Sequence, residues 1–461
     1  MLFRSRQVHE RTREAGGGLL TDVRVNGLLR EDGEGRVTRP SDRASGQGPR
    51  ADKREIVGVT CDELDPITAD VIIAADGVNS ELARDAGMMD WEDPEEWFQG
   101  VKAVVDVPEG AIEERFDVDE GEGVAHLFSG DLFDSVRGGG FLYTNEGSLS
   151  IGVVFHLDSM AAERAEPQEL LDALLQHPLL SDWIGDEYNE LEYSAKLVPD
   201  SKKVAHPSPH QGRLLLVGDA AGQMQAQGPI IKGMNHAVTA GALAAEAFVD
   251  ATSRGRPTAA GPTYEQKLET EGVMDKLRPT RYETLGKLGE VGPVASISNG
   301  LADSVIGKLG VKVLGRNLER LYNSPFLLGM LPDTKLGYVT LPRVIAEQLG
   351  EPVEGESTVE PPELDDRIGD LTYDIDEGNP HITLNDNSFA ASGTAVTACP
   401  VSAKDFGGGC YRDEYVKSNG GEERVVSLDT QPCVECGTCA VVADTEWTHP
   451  RGGKGIEYKQ G

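Results

Sequence analysis

The tail of this chain carries Cys433-Val-Glu-Cys436-Gly-Thr-Cys439, with Cys399-Pro400 upstream of it. Three thiols at C-x2-C-x2-C spacing can ligate irons of one cube from a single loop, and a remote Cys-Pro completes the set of four. Such a loop has to close on a common centre and draw a distant segment to it. That requirement constrains the fold more than any other feature of the sequence. Cys399, Cys433, Cys436 and Cys439 are therefore expected to converge on one [4Fe–4S] cluster.

The arrangement resembles a two-cluster ferredoxin that has kept one centre. There, C-x2-C-x2-C-x3-C-P occurs twice and each Cys-Pro serves the other half's cluster. Here the first triplet would fall at Phe389, Ser392 and Ala395, and the second Cys-Pro at Ala443-Asp444. The remaining ligands all belong to one cluster. Zinc is a competing reading, since four thiolates also suit it, but structural zinc sites usually pair two separate C-x2-C knuckles. Disulfides fit less well, because four of the six cysteines are absorbed by a metal pattern and no secretory signal is present. Cys410 rivals Cys399 but lacks the following proline, so it is expected outside the cluster. Cys61 reads as a lone thiol.

The chain has 461 residues, room for two to four domains. Its 78 acidic and 43 basic residues leave a formal charge of −35, and only 16 of the basic residues are lysine. A dense carboxylate surface poor in lysine resembles that of haloarchaeal proteins, where salt screens the repulsion. With 39% hydrophobic residues and long periodic segments, a disordered acidic chain is not expected. No basic stripe is visible, so nucleic acid is not an expected partner. No run of 18 apolar residues occurs, and Met1 to His9 lacks the apolar core of a signal peptide. The expected location is cytoplasmic, with room for peripheral contact at the inner face of the cell membrane.

Along the chain, Gly16 to Gly18 precede a strand from Leu19 to Leu29, and residues 31–53 read as a long exposed loop. Ala69 to Ala75 is a short apolar strand running into Asp76-Gly77. Residues 97–195 alternate strand patterns with turns, and Glu166 to Leu180 looks helical. Gly212 to Val217 is a buried strand ending on Gly218-Asp219, followed by a small-residue helix from about Gly233 to Val249. Residues 263–350 read as mostly helical. Glu351 to Asp370 is acidic and proline-containing, the composition of a linker.

Asp76-Gly77 and Gly218-Asp219-Ala-Ala-Gly222 each follow an apolar strand. A strand ending this way brings a carboxylate to a ligand's sugar hydroxyls, and glycine lets the backbone approach. A helix starting near Gly233, Met234 and Asn235 would aim free amides at a negative ligand atom. For a flavin, that atom lies on the N1/C2 carbonyl edge. Either motif alone is weak, since Gly-Asp pairs and Asp-Gly turns are common. No acid–base pair or nucleophile is evident, and the nine histidines lack metal spacing, so each is expected to be structural or exposed.

Ala69 to Arg84 and Gly212 to Glu246 resemble the flavoprotein family that includes aromatic hydroxylases, geranylgeranyl reductases and electron-transfer-flavoprotein dehydrogenases. Tyr264-Glu-Gln-Lys-Leu and Val273-Met-Asp-Lys-Leu are similar to the helical segment of the last group, and Lys232-Gly-Met-Asn-His-Ala to the flavin-contacting turn of Fix-type flavoproteins. In the tail, Asn379-Pro-His-Ile, Ala398-Cys-Pro400, the Cys433 to Cys439 loop and Trp447-Thr-His-Pro-Arg-Gly-Gly453 resemble the small ferredoxin-like Fix subunit. The whole is similar to a Fix flavoprotein fused to that partner, the arrangement of electron-transfer-flavoprotein:quinone oxidoreductases.

The resemblance implies an α/β plus α+β fold, with an FAD-binding Rossmann-like part, an antiparallel-sheet substrate domain and a ferredoxin-like [4Fe–4S] domain. The expected division is 1–96 and 201–280 for FAD, 97–200 for the substrate or quinone sheet, 281–350 helical, 351–370 linker, and 371–461 for the cluster. FAD would be held by Asp76, Gly77, Gly218, Asp219, Gly222, Gly233, Met234 and Asn235. Electrons would pass from reduced electron-transfer flavoprotein through the cluster and FAD to a quinone, menaquinone or ubiquinone. The family opens on a strand, a G-x-G-x-x-G turn and a helix. No such motif occurs here, so the first βαβ unit, roughly a hundred residues with its extension, is expected to be missing. An open slot should then stand beside the strand ending at Asp76 or at Asp219. Two other readings compete: a geranylgeranyl-reductase-type enzyme saturating isoprenoid chains, and an electron carrier holding the cluster alone.

Overall fold

The computed structural model of the chain describes residues 9–21, 23–32, 35, 37–38, 54–61, 63–89, 94, 97–129, 136–185, 188–199, 208–227, 230–277, 337–341, 345–347, 357–374, 380–402, 409–418, 421–449 and 455–458. Most of the loop expected at 31–53, most of the helical region expected at 281–350, Asn379, and residues 450–453 lie outside the described residues.

Val25–Glu31 (β1), Val37–Thr38 (β2), Glu55–Cys61 (β3) and Ile67–Thr68 (β4) form an antiparallel sheet in the order β2-β1-β3-β4. Ile72–Ala74 (β5) leaves it and runs into the helix Glu81–Asp85 (α1), which Ser80 caps by accepting from the Ala83 N–H at 3.0 Å. Trp97–Asp106 (β6), Ala125–Ser129 (β7), Gly138–Thr144 (β8), Ser148–His156 (β9) and Glu190–Pro199 (β10) build the main antiparallel sheet. His210–Gln211 (β11) turns back into Leu214–Leu216 (β12), and β12 pairs in parallel with β5, Leu216 opposite Ala74. Gln225–Gln227 (β13) and Ile230–Lys232 (β14) form a hairpin that leads into Met234–Ser253 (α2), packed on Ala260–Thr270 (α3).

Gly337–Leu341 (β15) and Ile345–Glu347 (β16) lie inside the stretch expected to be helical, and they are strands. They complete the main sheet in the order β10-β6-β9-β8-β7-β15-β16, with β15 against β7. The expectation failed because a short apolar run has no periodicity that separates buried strand from helix. The inner face of this sheet is the largest core: Ala103, Val105, Leu149, Ile151 and Val153 are all fully buried, against Leu171 and Leu174 of a helix laid across it.

In the tail, Thr372–Asp374 (β17) pairs with Gly455–Glu457 (β22), Ile382–Leu384 (β18) with Thr445–Trp447 (β21), and Tyr411–Ser418 (β19) with Gly421–Leu428 (β20). Phe389–Ala398 (α4) fills the centre. The tail's buried Ile382, Val396, Val401, Tyr411 and Trp447 are continuous with the core of the main sheet. The expected linker is also docked along its described part: Val359 is 2% exposed, and Tyr188 donates from its hydroxyl to the Glu360 carbonyl at 2.7 Å. Among the described residues no helix is long and apolar enough to cross a membrane.

Candidate cofactor sites

β5 and β12 are neighbours in a parallel pair, so the segments that leave them emerge side by side at one end of the sheet. Ligands of parallel sheets bind at that end. Leu214, Leu215 and Leu216 are each fully buried, which anchors the strand at roughly 1.5–3 kcal/mol per side chain. The turn after β12 is held by a buried relay. Gly218 N–H donates to Gln223 Oε1 at 2.8 Å, Gln223 Nε2 to the Tyr264 hydroxyl at 3.2 Å, and that hydroxyl to the Leu216 carbonyl at 3.0 Å. Gly77, Gly218 and Gly222 have φ of +75°, +66° and +62°, where a side chain would be strained. A Cβ on Gly218 would also press on Ala237 of α2 at 3.1 Å.

Gly233 is the N-cap of α2, and a Cβ placed on it would lie 3.5 Å from Asp219 Oδ1. The Asp219 carboxyl therefore lies at the start of a 20-residue helix, and burial pushes its pKa up. Met234 is 73% exposed, and Asn235 is exposed too.

Asp76 faces elsewhere. It lines a cavity of about 660 Å³ whose other walls include Arg24, Glu63, Glu81, Glu435 and His449. Asp219 is not among its lining residues. The two carboxylates share one end of the sheet without sharing that cavity. The other edge of β5 pairs with no strand among the described residues, and Ile73 on it is 42% exposed. On the cavity wall Arg24 had no sequence signal, while Glu435 and His449 lie in stretches that carried the resemblance without being given a role. His449, expected to be structural or exposed, is half-buried with Nδ1 3.5 Å from Glu435 Oε2.

The tail brings Cys399, Cys433, Cys436 and Cys439, each at most 8% exposed, onto one small cavity with Val401, Tyr411, Thr438 and Trp447. Cys399 is the C-cap of α4, and Cys439 opens a short helix. Cys410, expected outside, lines the same cavity, within hydrogen-bonding reach of the Cys399 and Cys433 thiols. The cause is Gly409: at φ +83° it passes so close to the Val401 carbonyl that no side chain fits, and the next residue falls beside Cys399.

The hydrogen bond from Cys410, with His381 adding to it, holds the Cys433 thiol down at about 5. Burial pushes Cys399 up, but hydrogen bonds from Cys410, Ser402 and the Val401 amide outweigh it and leave the thiol below its ordinary range. Burial and the charges of Cys399 and Cys433 push Cys436 up to about 12, and burial raises Cys439 as well. Four thiols in so dry a place cannot all ionise unless a cation joins them. Among the described residues, no group of three or more His, Cys, Asp or Glu stands in metal-ligating geometry. In number and softness the donor set nonetheless fits an iron–sulfur cluster.

The thiol loop is seated on the edge of the main sheet. Leu197 N–H of β10 donates to the Cys436 carbonyl at 3.1 Å, and Gln99 Nε2 of β6 to Thr438 Oγ1 at 2.9 Å. Glu81 accepts from Arg24 Nη2 at 2.7 Å and from the His449 N–H at 3.2 Å, tying the tail to α1.

Residues 24–267 match the family model described as FAD binding domain. The chain is 36% identical over 242 residues to Protein FixC of Escherichia coli K12, covering 52% of this chain and 51% of that protein. It is 33% identical over 273 residues to the E. coli K12 probable electron transfer flavoprotein-quinone oxidoreductase YdiS, covering 59% and 58%. Among solved structures it is similar to a geranylgeranyl bacteriochlorophyll reductase-like protein of Thermoplasma acidophilum, at 19% identity and a TM-score of 0.42 over 57% of each chain. The chain spans about half the length of the curated relatives it matches.

Proposed function

The chain belongs to the FAD binding domain family, and from that premise we propose that it passes electrons from a reduced electron-transfer flavoprotein, through a [4Fe–4S] cluster and FAD, to a quinone such as menaquinone or ubiquinone. The observation that carries this reading is the shared wall between the two seats: the Cys433–Cys439 loop lies on β10 and against the turn that follows β5. The relatives named FixC and probable electron transfer flavoprotein-quinone oxidoreductase support the choice of donor and acceptor.

When bound, FAD supplies two-electron and the cluster one-electron chemistry. The chain's own part is to bind, orient and keep dry. Asp76 and Asp219, which follow the two strands of the parallel pair, would each accept from hydroxyls of the ligand, from separate sides of that end. The first-turn amides of α2, which have no partner within the helix, suit the negative edge of a flavin. Cys399, Cys433, Cys436 and Cys439 would hold the irons, while Val401, Tyr411, Val434 and Trp447 exclude water from them. The docking of the tail on the main sheet would hold the two seats at a fixed separation, and the proposed site of action is the cytoplasm or the inner membrane face.

The test is anaerobic loading of the purified chain with FAD, iron and sulfide, then mixing with reduced electron-transfer flavoprotein and a short-chain menaquinone. Quinol should form only when both cofactors are present. Quinone left oxidised by the doubly loaded protein overturns the reading. A chain that takes up the cluster but no flavin is instead a cluster-only carrier, and the electron path through FAD is overturned.

A further inference from the structure

Glu435 sits between the first two cysteines of the loop with φ +54°, a left-handed conformation that is unfavourable for a residue with a side chain. Something has to hold it there. Its N–H donates to Cys433 Sγ at 3.3 Å. Its carbonyl accepts from Asn79 Nδ2 at 2.9 Å and from Lys196 Nζ at 3.0 Å. The residue is thus gripped on both sides, and its orientation decides whether the amide reaches the sulfur.

Asn79 is 1% exposed and belongs to the turn that begins at Asp76-Gly77. That turn is itself rigid: Ser80 N–H donates to the Gly77 carbonyl at 3.2 Å, and Arg84 Nη2 to the Asn79 carbonyl at 3.4 Å. On its far side Asn79 packs on Gly437, where a Cβ would lie 2.7 Å from Asn79 Oδ1 and 3.3 Å from Leu197 Cδ1. Gly437 has φ +86°, so space and backbone both call for glycine. A single hydrogen bond therefore joins the flavin-side turn to the peptide between two thiol ligands.

We propose that Asn79 is a positioning residue for the cluster: it pins the Glu435 carbonyl so that the Glu435 amide stays on Cys433, and it makes the flavin turn part of the cluster's wall. This rests on the cluster assigned under the proposed function. Amide donors to ligand sulfurs stabilise the reduced, more negative cluster and raise its potential. Lys196 acts on the same carbonyl from the sheet edge and should add to the effect.

The experiment compares wild type, Asn79→Ala, Asn79→Asp and Lys196→Met in the full chain, loaded anaerobically with iron and sulfide. Asn79→Asp keeps the shape without the donor, so it covers the case in which the alanine variant folds poorly. The readouts are the midpoint potential, from a redox titration followed by EPR, and alkylation of Cys433 and Cys436 by iodoacetamide in the unloaded protein. Both Asn79 variants should keep full iron content, shift the potential to more negative values with an altered EPR line shape, and alkylate several-fold faster. Lys196→Met should shift the potential in the same direction. Unchanged potential and unchanged alkylation in both Asn79 variants overturn the proposal. If wild type assembles no cluster, the electron-transfer reading fails, while the alkylation rates still decide the clamp.

Discussion

Arg367 Nε and Glu190 Oε1 meet at 2.9 Å in the protein interior, with side chains 1% and 4% exposed. Asp172 Oδ1 lies 2.8 Å from the same guanidinium, and the Tyr193 ring lies 5.4 Å from it. Tyr193 in turn donates from its hydroxyl to the carbonyl of Pro400 at 2.7 Å, next to Cys399. One cation serves two carboxylates, so one negative charge is left over. Burial pushes the Glu190 carboxyl up to about 7 and raises Asp172, with Arg367 pulling against both. The folded protein therefore binds a proton more tightly than the unfolded chain. The resulting stability is fully present below the unfolded value near 4.5 and is lost as pH rises through about 7. Denaturant unfolding at pH 5 and pH 8 should show a loss on the order of 2–3 kcal/mol attributable to this site. Glu190→Gln should flatten that part of the slope. An identical slope in the variant would place the proton elsewhere.

Removing the cation is a harsher change. Arg367→Met leaves the buried Glu190 and the half-buried Asp172 without their cation, and breaking a buried pair costs about 3–5 kcal/mol. The loss should also loosen the docked segment 357–374, whose Glu360 carbonyl accepts from Tyr188, so limited proteolysis should cut within it faster than in wild type. A variant with wild-type Tm and wild-type cleavage would show that the segment is held without the Arg367 network.

What could be read from the sequence divides along a physical line. The strand ends at Asp76 and Gly218, the start of α2 at Gly233, and the placing of Cys399, Cys433, Cys436 and Cys439 on one small cavity were legible because local signals encode them: apolar runs, glycines and short spacings. Arg367 was hidden in a segment whose acidic composition reads as linker, because its partners Asp172 and Glu190 lie far away in sequence. Cys410 was misplaced because its position depends on Gly409 passing the Val401 carbonyl, a contact no spacing rule contains. Strands β15 and β16 were read as helix because β15 finds its partner β7 far upstream in the sequence, and β16 joins the sheet only through β15.

Cys410 offers a sharp discrimination. Replacing Cys399, Cys433, Cys436 or Cys439 by serine should each remove about four irons per chain, since each thiolate fixes one corner of the cube. Cys410→Ser should retain the iron, because Cys410 acts on Cys399 and Cys433 as a hydrogen-bonding neighbour. Iron and sulfide analysis with EPR measures this. Stoichiometric zinc in wild type, or iron lost on Cys410→Ser, would contradict the ligand set.

At the flavin turn, Gly218→Ala adds a methyl at φ +66° and against Ala237. The strain is about 1–2 kcal/mol, and it displaces the Asp219 carboxyl from the start of α2. FAD affinity, measured by flavin fluorescence on titration, should fall roughly tenfold, since 1.4 kcal/mol is a factor of ten. Gly241→Ala, in the middle of α2 where a Cβ meets nothing within 4 Å, is the control and should bind as wild type does. Equal loss in both variants would mean that helix stability, and not the turn, governs binding.

The last prediction follows from charge. A formal charge of −35 on 461 residues sets carboxylates against one another over the whole surface. At 0.01 M salt the Debye length is about 30 Å, so repulsion acts across the molecule; at 1 M it is about 3 Å and only contacts survive. Self-repulsion of this kind destabilises the compact state. Buried apolar packing and the shielded Arg367 network are little affected by salt, whereas exposed pairs such as Lys267 with Glu246 weaken as salt rises. The repulsive term is the larger, because acidic residues exceed basic ones by 35 and few carboxylates can find a partner. Tm should therefore climb steadily from 0.05 M to 2 M KCl, with most of the gain below about 0.5 M, where the Debye length shortens fastest. A gain that continues undiminished at molar salt would point to hydrated-ion binding by the carboxylates beyond screening. A flat or falling Tm would show that the acidic surface does not limit stability, and the salt-adapted reading of this composition would be withdrawn.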